Sequence, residues 1–89
     1  MPRFADPRLE EIYLYRASSS LPGALIDPAF RLARRLVAAR NWSTVGVFTQ
    51  PVELSATRYA SPVHDRWHIS FAWDDALGAF DMALERLKE

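Results

Sequence analysis

Between residues 66 and 73 hydrophobic and polar side chains alternate without a break. Trp67, Ile69, Phe71 and Trp73 fall on one face of an extended chain, and Arg66, His68, Ser70 and Ala72 on the other. Successive strand residues point to opposite sides, so this is the period of a half-buried β-strand. From Ala76 the period changes. Leu77, Phe80, Leu84 and Leu87 stand at i, i+3, i+7 and i+10, which predicts an amphipathic helix capped by Asp74 or Asp75.

The same reasoning applies upstream. Residues 1–10 hold two prolines and several charges and read as an irregular arm, leaving residues 11–89 as one small domain. Residues 11–16 are rich in β-formers and predict a strand, with Ile12 and Leu14 on one face and Tyr13 and Tyr15 on the other. Three serines and a Pro-Gly pair make residues 17–26 a loop. Asp27-Pro28 has the form of an N-cap followed by proline in the first helical turn, predicting a helix to about Arg40, with Asn41 as its breaker. Ala29, Leu32, Ala33, Leu36 and Val37 form its apolar stripe. Residues 44–49 predict a second strand, and residues 53–65, with Pro62 among them, a long excursion or poorly formed hairpin. The expected architecture is α+β: a two-layer sandwich with a three- or four-stranded, mostly antiparallel sheet and two helices on one face.

Composition narrows the functional classes. The 89 residues are enough for a single domain. Eleven basic and eleven acidic side chains cancel, so the chain lacks the net basic charge of a nucleic-acid binder. Nucleic acid is therefore not expected as a partner. With no cysteine there is no disulfide scaffold, thiolate metal site or cysteine nucleophile. No apolar run spans a bilayer and no signal-like segment opens the chain, so a cytoplasmic protein that does not meet a membrane is expected.

The order and spacing of several segments resemble the small C-terminal domain of fold-type I pyridoxal-phosphate aminotransferases. Tyr13-Leu14-Tyr15 is similar to that domain's entering strand, and the helix from Asp27 to its long helix. Val45-Gly46-Val47 before Pro51 looks like its Gly-Val segment, His68-Ile69-Ser70-Phe71-Ala72 like its substrate-binding strand, and Ala83-Leu84-Glu85-Arg86-Leu87 like its closing helix. The resemblance implies a carboxylate-gripping arginine two residues before the serine, where this chain has His68, with Arg66 two residues earlier. The cofactor-holding domain and its Schiff-base lysine have no counterpart, since the one lysine is Lys88. No cofactor is expected.

The polar face of the 66–73 strand offers the strongest candidate site: Arg66, His68 and Ser70 in a row, with His64 nearby, as a surface for a protein partner or a carboxylate ligand. If that face is open, Tyr13 and Tyr15 are expected to share it. Two histidines and Asp65 make only a weak case for a metal, and none is expected. Arg31, Arg34, Arg35 and Arg40 form a basic helix edge that reads first as a solvated face. The leading expectation is a non-catalytic binding or partner-subunit domain. The alternative is an independent regulatory or inhibitory protein of operon-accessory type that folds as a ferredoxin-like sandwich and dimerises. An enzyme using His64 or His68 as a base ranks last.

Overall fold

The computed structural model of the protein describes residues 3–86. Three helices, α1 (Pro7–Tyr15), α2 (Gly23–Ala38) and α3 (Trp42–Phe48), precede four strands, β1 (Val52–Glu53), β2 (Arg58–His64), β3 (Trp67–Asp74) and β4 (Gly78–Arg86). The strands form one antiparallel sheet in the order β1-β2-β3-β4. The α+β class and the small antiparallel sheet are as expected. The helical layer differs, with three helices gathered at the front of the chain.

Residues 11–15 are helical, with Arg16 as the left-handed C-cap, and the expected arm at residues 1–10 runs into α1. The cause is Asp6-Pro7: Asp6 accepts the Arg8 amide as N-cap, and Pro7 opens the helix. Its apolar positions then fall at helical spacing, with Leu9 and Ile12 buried. The second Asp-Pro pair, Asp27-Pro28, lies inside α2 instead of starting it. Residues 44–49 are likewise not a strand. Asn41 is the N-cap of α3 and not merely a breaker of α2: its Oδ1 accepts the Thr44 amide and hydroxyl at 2.9 Å each. A satisfied cap outweighs the modest strand preference of two valines and a phenylalanine.

The largest departure is at residues 76–86. The expected final helix is β4, joined to β3 by the turn Asp75-Ala76-Leu77. Asp74 Oδ1 accepts the amides of Ala76 and Leu77, and Gly78 takes φ 77°, the left-handed residue that closes a three-residue hairpin. The sheet register slips between Ser70 and Ala72, which places Asp81 (φ 56°) as an extra residue in β4. Across this bulge Ala79, Met82 and Leu84 all reach the core. A strand interrupted in this way shows apolar residues three apart, which mimics a helix. Of the apparent helical stripe, Leu77 is exposed, Phe80 is half-buried, Leu84 is in the core and Leu87 lies outside the described residues. Three segments that carried the aminotransferase resemblance thus have the other secondary structure: Tyr13–Tyr15 and Val45–Val47 are helical, and residues 83–86 are extended.

Core packing joins Leu9 and Ile12 of α1, Leu25, Ala29, Ala33 and Leu36 of α2 and Val45 of α3 to Ile69, Phe71, Met82 and Leu84 of the sheet. Trp42 extends this layer, with Tyr59, Trp73 and Phe71 rings at 4.5, 5.4 and 6.4 Å. The alternation read from residues 67–73 is borne out, with the tryptophans, Ile69 and Phe71 turned towards the helices. No helix among the described residues is long and apolar enough to cross a membrane.

The two sheet edges are treated differently. Residues 3–6 run beside β4: Met82 donates to Arg3, and Ala5 donates to Met82. Side chains continue that ladder. Arg3 Nη1 donates to the Ala79 carbonyl at 3.0 Å, Leu84 N donates to Asp6 Oδ2 at 3.2 Å, and Arg8 Nη2 donates to the Leu84 carbonyl at 2.9 Å. The β4 edge is sealed. On the other side, β1 packs against β2 and no other element among the described residues.

Candidate functional site

The face of the sheet turned away from the helices is set by register. His68 pairs with Pro62 and Glu85, Ser70 with Ala60 and Ala83, Ala72 with Arg58 and Phe80. Val52 lies opposite Ala60. This face therefore carries Val52 from β1, Arg58, Ala60 and Pro62 from β2, His68, Ser70 and Ala72 from β3, and Phe80, Ala83 and Glu85 from β4.

One half of it is closed by an ion pair. Arg58 reaches across β3, its Nη1 donating to Asp81 Oδ2 at 2.8 Å and its Nη2 to the Asp81 carbonyl at 3.2 Å and to Ser70 Oγ at 3.3 Å. The bulge at Asp81 is what brings that carboxylate over the face. Ser70 is buried beneath this bridge. Its hydroxyl accepts from Arg58 and has no hydrogen bond to His68, so the two do not form a nucleophile–base pair.

The other half is a groove of about 320 Å³ lined by Val52, Leu54, Ala60, Pro62 and His68, with the polar Gln50 and Asp65 also in its wall and with Trp67, at the start of β3, bordering both this groove and the core. Val52 and Leu54 are 62% and 53% exposed, large apolar side chains that the fold leaves uncovered. At the inner end, His68 is only 7% exposed. Its Nε2 stands 3.5 Å from Glu85 Oε2, while Nδ1 is sealed from solvent with no hydrogen-bond partner. The adjacent carboxylate favours the tautomer with the proton on Nε2, which makes Nδ1 an acceptor without a donor. Such a group costs about 1–3 kcal/mol when left unmet. Ser61 Oγ is also buried without a partner, on the helical side.

Of the other expected site residues, Ser70 joins His68 on this face as expected. Arg66 does not stand in the strand row: it occupies the exposed two-residue turn with Asp65 (φ 54°), where hairpin geometry sets its direction. His64 is exposed at the end of β2, beyond a register slip after Pro62. Tyr13 and Tyr15 are not on the sheet, because α1 is a helix. Tyr13 packs on Phe4 with ring centroids 5.0 Å apart, and Tyr15 is 73% exposed near the helix end. Among the described residues no three His, Asp or Glu side chains come together as a metal would need, and His64, Asp65 and His68 do not. Sequence reading missed Arg58, Asp81, Val52 and Leu54. The alternation Arg58, Ala60, Pro62 was a usable signal, hidden by the proline.

No protein-family model matches the chain, and no curated protein matches it.

Proposed function

We propose that this protein is a binding module whose open sheet face takes an extended, uncharged apolar segment of a protein partner. The observation that carries the reading is the buried, unpartnered Nδ1 of His68 at the end of an apolar groove. An imidazole acceptor asks for an N–H, and an extended backbone presents one every second residue on the same side. Nδ1 is sealed in the free protein, so the His68 ring must turn for the donor to reach it; supplying the donor then recovers about 1–3 kcal/mol, about fivefold to a hundredfold in affinity. Covering Val52 and Leu54 adds about 1 kcal/mol each.

A carboxylate ligand suits the face less well. Both of its inward cation-forming side chains already face carboxylates, Arg58 at Asp81 and His68 at Glu85. Acid–base catalysis lacks a nucleophile in contact with His68. The reading therefore keeps the non-catalytic binding role and replaces the small acid with a neutral peptide segment.

Titration of ¹⁵N-labelled protein with acetyl-capped tripeptide amides of leucine, valine and phenylalanine tests this. Amide shifts are expected at Val52, Leu54, Ala60 and His68. Shifts confined to the helical layer, or none, contradict it. Light scattering separates a second possibility, pairing of β1 edges between two copies: a concentration-dependent dimer that the tripeptides do not compete with also contradicts the proposal.

A further inference from the structure

The zero net charge conceals a strong asymmetry. Between residues 16 and 50 there are five arginines (Arg16, Arg31, Arg34, Arg35 and Arg40) and one acid, Asp27, a local excess of four positive charges that the rest of the chain cancels. Folding concentrates three of them on α2. Arg34 and Arg35 are consecutive, each one turn from Arg31, and all three are exposed. Asp27 is already shared, pairing with Arg31 at 3.0 Å and with Arg16. Arg34 and Arg35 have no carboxylate within ion-pair distance among the described residues. They lie over aromatic rings instead, Arg34 at 5.6 Å from the Phe30 centroid and Arg35 at 5.7 Å from that of Phe48.

Stacking on a ring holds a guanidinium flat and leaves its N–H edge facing outward, which lowers the ordering cost of gripping a carboxylate bidentately. Between the arginines is a cleft of about 330 Å³ floored by Phe30 and Ala38. That combination has two requirements: closely spaced anionic groups and an apolar side chain between them. We infer that the exposed face of α2 is a second binding surface, for an acidic amphipathic helix or segment of a protein partner. A nucleic-acid strand fits it less well. From Arg31 to its end at Ala38 the helix advances only about 10 Å, enough for about two phosphates, and the surrounding chain carries the opposite charge.

This surface lies on the helical layer and does not depend on the groove at His68. The test uses the whole protein and fluorescence anisotropy with three labelled probes: a short peptide with glutamates and leucines on one helical face, the same peptide with glutamine for glutamate, and a single-stranded RNA of similar length. The acidic peptide is expected to bind, and to weaken about tenfold or more between about 50 and about 200 mM salt. The double substitution R34E/R35E is expected to cost about tenfold or more, with an unchanged circular dichroism spectrum. The R34K/R35K pair, which keeps charge but loses the planar fork, is expected to fall in between. His68→Leu is expected to leave this binding unchanged. Equal binding of the glutamine peptide, no binding of the acidic one, or tighter binding of RNA through the same arginines would each overturn the inference.

Discussion

Asp6 accepts the Arg8 amide as the N-cap of α1, and the same carboxylate takes the Leu84 amide from the edge of β4 and the Arg8 guanidinium at 2.9 Å. Burial alone would raise its pKa. The hydrogen bonds from the Arg8 side chain and from the Arg8 and Leu84 amides, with the guanidinium charge, outweigh that and hold it below the usual carboxylate value. A folded-state pKa below the unfolded value of about 3.9 stabilises the protein above that pH. This stability is lost as pH falls through the folded value. Asp6→Ala is therefore expected to cost about 1–3 kcal/mol in urea unfolding at neutral pH. The gap between wild type and variant should narrow as the pH is lowered below about 4. A gap that stays constant with pH would show that the carboxylate's charge is not what holds α1 to the sheet.

At the scale of elements, legibility depended on whether a local device overrode the periodicity. The β3 strand was readable because nothing interrupts it: Trp67, Ile69, Phe71 and Trp73 alternate and are packed as alternation requires. The body of α2 was readable for the same reason, with Ala29, Leu32, Ala33 and Leu36 buried. α1, α3 and β4 were misread because one residue in or beside each segment decides its form: Asp6 and Asn41 as caps, Asp81 as a bulge. His68 and Ser70 were found because they lie on the readable strand. Their neighbours Arg58 and Val52 were not, because only sheet register brings them there. The bulge supports a paired test. Deleting Asp81 leaves Ala79, Met82 and Leu84 on one face of an uninterrupted strand, so the variant is expected to fold, having lost the Arg58 ion pair. Deleting Ala83 turns Leu84 out of the core and is expected to prevent cooperative folding. Circular dichroism melting of both variants checks this; equal behaviour would mean the bulge does not set the register.

For the molecule as a whole, the two layers divide the work. The helices and one sheet face hold the core, and the N-terminal residues seal the β4 edge. The opposite sheet face, with the β1 edge, is left with exposed apolar side chains and a buried imidazole that lacks a donor. A stable fold has no use for that unmet acceptor, so its retention fits a surface kept for binding at some expense of stability. Measuring urea stability and tripeptide-induced amide shifts together in His68→Leu tests this most directly. Replacing the imidazole with a hydrocarbon of similar bulk is expected to leave the unfolding free energy unchanged or raise it by about 1 kcal/mol, while abolishing the shifts at Val52, Leu54 and Ala60. A variant that loses stability and still binds as the wild type does would show that His68 serves the fold and not the groove.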